Sequence, residues 1–500
     1  MSLLETAPVI RASSFLAGVC ALALLPALAH AADASPAQAA DPYYKAGQAA
    51  LAKAMAVTAN TGRAKNVILF LGDGMGISTA VAGRIWQGQQ KGVDGESNAL
   101  SFEKLPFTAL SKTYSHDTQV TDSAAGITAI TTGVKTRNKV IGLTGEAKPE
   151  SCASAAATRV ATIAEIAKAH GLSAGAVTNT RITHATPAGT FAHTAYRDWE
   201  ADADMPAEAL SGGCKDIARQ LVEAPANLRL DVALGGGRSR FLPEAKGGKR
   251  ADGRDLTVEW TKAKGAAYVA TADQLKAIDP ARTGPLLGLF AGEHLPYEVE
   301  RAQSGQGVPS LAQMATKAVD VLSKNPKGYF LLVEGGKIDM GSHLNNAKRT
   351  LTETAAFSDA VQAVLDKVDL KDTLVIVTAD HSHGLVISGY AARNAPILGL
   401  AGNEGEPVVA GDGKAYTVLS FATGPGGVEG NNLRADPAKE DLDEDDYHQQ
   451  AVAHLPSAAH AGEDVGVYAD GPGAYLVRGV VEESYIFQVM RHAFGFDAGN

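Results

Sequence analysis

The chain has 500 residues, 45% hydrophobic and 20% charged, enough to bury a large core and unlike a disordered or fibrous composition. Its formal net charge of -10, with no basic stripe, is a poor match to nucleic acid. Acidity does not exclude an anionic substrate, because bound metal ions can supply local positive charge that the side chains lack.

Arg11 precedes an apolar run from Phe15 to Ala29, and Ala29-His30-Ala31 is a small-x-small cleavage pattern. The pattern predicts a secretory signal peptide over 1–31, cleaved near Ala31, although Glu5 leaves its first part less basic than usual. The run is short and Pro26 interrupts it, so no stable membrane anchor is expected. The mature chain is expected to start at Ala32 and to be exported, to the periplasm of a Gram-negative cell or into the medium. Cys20 leaves with the signal, and Cys152 and Cys214 remain. An oxidising compartment favours a disulfide between them, which would stabilise the fold by about 4 kcal/mol in the chain-entropy model. Two free buried thiols are the alternative.

Further along, Asn66–Leu71 (NVILFL) reads as a buried strand and runs into GDGMG, which puts Asp73 in a glycine-rich turn. The stretch TDSAAGITAITTGVKT sets Asp122 and Ser123 before a small-residue helix over Ala124 to Thr132. Either residue can cap that helix. A serine there also sits where the helix dipole welcomes an anion such as phosphate. Helical patterns follow at Ala161 to His170, Ser310 to Ser323 and Thr350 to Val368. Between them lie strands at Ala174 to Thr178 (AGAVT), Tyr329 to Val333 (YFLLV) and Thr373 to Thr378 (TLVIVT). This alternation predicts an α/β fold with a large, mostly parallel central sheet and helices on both faces. A single domain over 32–500 is expected, because candidate ligands from Asp73 to His460 must converge. A loop-rich insertion is expected at about 389–456, ending near the acidic run Asp441 to Tyr447, which reads as a solvated face. No internal repeat is visible.

In open α/β sheets the functional crevice lies beyond the C-terminal strand ends. After NVILFL comes Asp73. After YFLLV come Glu334, Asp339 and His343. After TLVIVT come Asp380, His381 and His383. Each has an ordinary explanation as a turn or cap residue, but three such exits on one sheet are hard to treat as accidents. Clustered carboxylates repel unless something positive sits among them, and Asp with His suits zinc. Two nearby metals can clamp the attacking and leaving oxygens of a phosphoryl transfer.

The ordered set GDGMG, TDSAAG with TGVKT, THATPAGTFAHTAYR, VEGGKIDMGSH, TADHSHG and AAHAGEDV resembles the metal-dependent alkaline phosphatases, and spans Asp73 to His460. The resemblance implies an alkaline-phosphatase-like fold and hydrolysis of small phosphate monoesters at two zinc ions and one magnesium. By the same resemblance Ser123 is the nucleophile that becomes phosphorylated and Arg197 grips the phosphate. One zinc would take Asp339, His343 and His460, and the other Asp73, Asp380 and His381. The third metal would take Asp73, Glu334 and Thr186. His184 stands where some members carry Asp, and Met340 where others carry Lys or His; both positions lie around the third metal and the phosphate. His383 is expected to orient a ligand carboxylate, and Asp122 to stand beside the nucleophile. His116 and His193 read as structural. A homodimer is expected from the family. A phosphodiesterase or sulfatase relative is disfavoured by Arg197 and by the lack of a C-x-P-x-R or S-x-P-x-R motif near Ser123. A metal- or phosphate-binding protein without turnover has no need of a serine facing the metals.

Overall fold

The computed structural model describes residues 35–496 except 305–306, 404–405 and 431, so the expected signal peptide lies outside the described residues. The chain divides into two units, Met1–Val57 and Thr58–Asn500. In the first, Ser35 and Asp41 cap the helices Pro36–Ala40 and Pro42–Met55. Everything that follows belongs to the second.

In chain order the strands are β1 Asn66–Leu71, β2 Phe107–Lys112, β3 Ser173–Arg181, β4 Val232–Gly236, β5 Ala267–Val269, β6 Leu286–Leu289, β7 Tyr329–Glu334 and β8 Thr373–Thr378. They continue with β9 Leu385–Ile387, β10 Gly402–Asn403, β11 Glu406–Pro407, β12 Leu419–Gly424, β13 Ala451–His454, β14 Val465–Asp470 and β15 Gly479–Glu482. Ten of them form one sheet in the order β15-β2-β14-β8-β1-β7-β3-β4-β6-β5. Within it β14 alone is antiparallel to its neighbours. The fold is thus α/β with a mostly parallel sheet, as the strand–helix alternation predicts.

The central strands read as continuous apolar runs because both of their faces are covered. Alternate side chains of β1 go to opposite sides. Val67, Leu69 and Leu71 join one core with the helices Ser123–Thr132, Ile163–Ala169 and Tyr485–Phe494, while Ile68 and Phe70 join the other with Leu311–Leu322 and Ala347–Leu365. Capping sets the helix bounds. Thr162 with Glu165 and Ser310 with Gln313 form capping boxes, so one helix starts at Ile163, two residues after the expected Ala161, and the other at Leu311 behind the expected Ser310. The long helix starts at Ala347, three residues before the expected Thr350, because the Asn346 side chain accepts from the Arg349 N–H. The AGAVT strand extends to Ser173–Arg181, prolonged by the polar residues Asn179 and Thr180.

Segment 389–456 carries the short strands β10 to β13; β12 and β13 form a three-stranded sheet with β9. Its acidic run is not simply solvated: Asp443 and Asp445 pair with Lys348 at 3.3 and 2.9 Å, and Asp446 with Arg349 at 2.8 Å. Cys152 and Cys214 are joined by a disulfide across 62 positions, which removes the free-thiol alternative. Among the described residues, no helix is long and apolar enough to cross a membrane.

Candidate active site

The C-terminal ends of β1, β3, β7 and β8 open on one side of the sheet, and the loop after β2 reaches the same side. β14 runs the other way, so the residues before it arrive there too. His460, just before β14, meets Asp339, His381 and His383, which follow strands running toward it.

The turn after β1 is shaped by Gly74, whose φ is +68°; a Cβ there would lie 2.7 Å from the His383 ring and 3.1 Å from Asp339 Cα. Only glycine lets this turn sit against both residues. Ser123 is the first residue of its helix, and Asp122 is the cap, accepting from the Ala125 N–H at 3.1 Å. Capping therefore falls to Asp122, and the Ser123 hydroxyl is not the cap. Ser123 Oγ lies 3.4 Å from Asp73 Oδ1 and 3.4 Å from His381 Nε2, all buried. Asp73 Oδ2 accepts from Thr186 at 3.3 Å.

Three overlapping groups bring ligand atoms within 4.8 Å of one another: Asp339, His381, His383 and His460; Asp73, Asp380 and His381; Asp73, His184 and Glu334. His343 reaches the first group from its side, with Nε2 3.4 Å from Asp339 Oδ2 and 3.3 Å from His460 Nε2. The histidines are oriented from behind. Nδ1 donates to the Ala458 carbonyl in His343 (2.7 Å), to the Thr121 carbonyl in His460 (2.9 Å) and to the Ser382 carbonyl in His381 (3.3 Å). Each Nε2 then presents a lone pair to the cluster when the ring is neutral. Two lone pairs 3.3 Å apart need a cation between them. Asp380 Oδ2 and Glu334 Oε1 are buried with no hydrogen-bond partner, one unpaired acceptor in each of two clustered carboxylates. Donor set, orientation and orphaned atoms all fit bound metal ions.

The electrostatics agree. Burial and the adjacent Asp73 lift the Asp380 carboxyl to about 8, and the same two causes hold Glu334 well above the usual range. Burial opposes charge on His381, but Asp380 and Asp73 outweigh it and raise the imidazole to about 10. Asp339 is held well below its ordinary value: burial works against this, and His343 and His383 prevail. His383 Nε2 contacts Asp339 Oδ1 directly. Burial, then the charge of Arg197, keeps His184 neutral.

Arg197 is gripped on both sides, Nη1 donating to Asp122 Oδ2 at 3.1 Å and Nη2 to His184 Nε2 at 3.1 Å. His184 thus touches the arginine as well as the Asp73–Glu334 group, and Met340 lies half-buried on the helix Lys337–His343 that carries Asp339. Several supporting residues gave no sequence signal. Thr178 and Thr180 hold Glu334 Oε2, the latter at 3.1 Å. Asn179 Oδ1 accepts from the Gly336 N–H at 2.8 Å, and its amide donates to Glu353 at 2.9 Å. The polar TNT after the apolar part of β3 was the available hint. His294 contacts Arg181 and stacks edge-on to His184. His193 bonds Glu165 at 3.1 Å, away from the ligand groups, as a structural histidine would.

Comparison with known proteins gives a consistent result. The alkaline phosphatase family model matches residues 64–496. The rat tissue-nonspecific isozyme of alkaline phosphatase is 42% identical over 451 residues, covering 87% of this chain and 84% of the relative. Alkaline phosphatase of the cod Gadus morhua is 40% identical, covering 89% and 95%. Among solved structures, Thermus thermophilus alkaline phosphatase superposes with a TM-score of 0.65 at 26% identity, over 88% of this chain and 93% of that one. A TAB5 alkaline phosphatase variant with one histidine changed to aspartate, described as having magnesium in its M3 site, gives 0.60 at 25%, over 87% and 99%.

Proposed function

The chain belongs to the alkaline phosphatase family and is a phosphoric monoester hydrolase, and from that premise we propose that it works through a phosphoserine formed on Ser123. The carrying observation is the position of Ser123 Oγ, at a helix N-terminus and 3.4 Å from both Asp73 and His381.

In this reading Asp339, His343 and His460 would hold one zinc, and Asp73, Asp380 and His381 a second. Asp73, Glu334 and Thr186 would hold magnesium, with His184 beside that place and bonded to Arg197. When bound, these ions would supply Lewis-acid charge that lowers the serine pKa and stabilises the oxygens of the transferring group. The remaining work falls to the chain. Arg197 offers two N–H groups to two phosphate oxygens, a geometry that suits its planar fork. Asp122 and His184 fix that fork before substrate arrives, so no ordering is needed during reaction. The dipole of Ser123–Thr132 points its positive end at the phosphate. Ser123 Oγ gives up its proton to solvent and bonds to phosphorus as the bond to the departing alcohol oxygen breaks, and the alcohol leaves with a proton from solvent. Water then attacks phosphoserine, the P–Oγ bond breaks, and inorganic phosphate and free Ser123 result. Few contacts to the alcohol are required, so a range of monoesters should serve.

The same reading carries export after removal of residues 1–31, release without a membrane anchor, an insertion at 389–456 and assembly as a homodimer. N-terminal sequencing and light scattering of the natural product test export and assembly. The central test compares initial rates on matched aryl phosphate mono- and diesters, with zinc and magnesium or with chelator. A strong, chelator-sensitive preference for the monoester is expected. Preference for the diester, or turnover unaffected by Ser123→Ala, overturns the proposal.

A further inference from the structure

The helix Lys337–His343 ends in a manner that ties it to segment 389–456. Asn345 is fully buried at φ +52°, a left-handed conformation that glycine usually takes at a helix end. Its N–H donates to the Ser342 carbonyl at 2.9 Å and that of Asn346 to Gly341 at 2.9 Å, which closes the last turn. Asparagine tolerates this conformation and, unlike glycine, brings a side chain. Here the side chain is fully used. Nδ2 donates to the Thr423 carbonyl at 3.0 Å, and Oδ1 accepts from the Gly426 N–H at 3.0 Å. A Cβ on Gly424 would collide with that amide group, so the glycine-rich loop is shaped to receive it. The Asn345 carbonyl also accepts from Gln449 N–H at 2.8 Å.

Thr423 faces two ways. While its carbonyl takes Asn345, its hydroxyl accepts from the Ala459 N–H at 2.9 Å. Asn345 lies two residues after His343, and Ala459 lies one before His460. The chain Asn345–Thr423–Ala459 therefore braces the two turns whose imidazoles face each other at 3.3 Å. The Ala458 N–H, donating to the His343 carbonyl at 2.9 Å, closes the same frame.

We infer that Asn345 is a positioning residue for the His343–His460 pair, acting through Thr423 of segment 389–456. This rests on the reading of both histidines as ligands of one zinc. Among the described residues, the segment then contributes no ligand of its own but sets the spacing of two.

The test uses full-length, zinc-loaded protein and follows zinc release to a chromophoric chelator, alongside the melting midpoint of the metal-free chain. Asn345→Gly keeps the left-handed turn without the side chain. Thr423→Val removes one hydroxyl from a half-buried strand position and decides the matter if Asn345→Gly does not fold. Thr423→Ser restores the hydroxyl. The expected result is that one of two zinc equivalents leaves about tenfold faster in the first two variants, the range seen for groups that orient metal ligands. The second equivalent and the metal-free midpoint stay near wild type, and Thr423→Ser releases zinc as wild type does. Unchanged release in every variant overturns the inference while leaving the zinc reading intact. So does parallel quickening of both equivalents with a lowered metal-free midpoint, the mark of general loosening. A wild-type protein that holds no zinc removes the reading itself, and the inference with it.

Discussion

At Ser123, Arg197 and Asp380, single side chains carry distinct parts of the proposed chemistry, and each predicts a separate outcome. Ser123→Ala leaves the ligand groups in place but removes the atom that accepts phosphate, so kcat on an aryl monoester should fall at least about 10³-fold with zinc content unchanged. Arg197→Lys replaces a two-pronged donor with a point charge and loses the fit between Asp122 and His184. A fall in kcat/KM of about 10²-fold is expected, visible in steady-state rates. Asp380 and His381 predict a pH effect on the metal-free protein. Their folded values, about 8 and about 10, both exceed the unfolded ones near 3.9 and 6.5. The folded metal-free chain therefore binds extra protons. The Asp380 contribution is complete below pH about 4 and lost as pH rises to about 8; that of His381 is complete below about 6.5 and lost by about 10. The chelated protein should melt at lower temperature at pH 9 than at pH 6. Zinc must displace those protons, so its affinity should rise over the same interval, as a competition titration would reveal.

Among the elements, the helix Ser123–Thr132 shows how a backbone feature can govern a reactive side chain. A Cβ on Gly126 would lie 2.8 Å from Asp380 Cβ, so Gly126→Ala must push the helix away from β8 and carry Ser123 with it. A displacement well under 1 Å in a nucleophile can cost about ten- to a hundredfold in rate. The expected result is that loss in kcat with little change in circular dichroism. Elements differ sharply in how plainly the sequence announces them. NVILFL, YFLLV and TLVIVT were legible because strands buried on both faces are uninterrupted apolar runs. β4 (VALGG), β5 (AYV) and β6 (LLGL) are short, two of them with glycine, and gave no strong run. β2 and β14 alternate buried with half-exposed residues and gave no strong run. Asp73, Glu334, Asp339, His343, Asp380 and His381 were legible because they follow strands directly, whereas His460, which precedes β14, and Thr186 came only from the family resemblance. Glu353, Asn179 and Asn345 were not, since a hydrogen bond across 174 or 78 positions leaves no local pattern.

Over the whole molecule, the Cys152–Cys214 disulfide is linked to the site by packing. Both cysteines lie against a small core of Val140, Leu143, Ala195 and Trp199, whose flanking loop includes Tyr196 and leads to Arg197. The Arg197 N–H in turn donates to the Lys139 carbonyl at 2.8 Å, and the Lys139 N–H to Asp122 Oδ2 at 2.9 Å. Replacing both cysteines by serine should lower unfolding free energy by about 4 kcal/mol, the loop-closure value for a separation of 62. Chemical denaturation measures the loss, and an accompanying rise in KM would report looser seating of Arg197.

The reversed direction of β14 has a temporal meaning. Because that strand enters the sheet from the site's side, His460 stands among proposed ligands made up to 387 positions earlier, beginning with Asp73. During synthesis, a chain that has not yet emerged past residue 460 lacks one donor of the proposed zinc site at His343. The complete set of donors exists only after nearly all of the polypeptide is available. Metal selection thus belongs to whatever surroundings the finished chain folds in, and not to those in which its first strands were made.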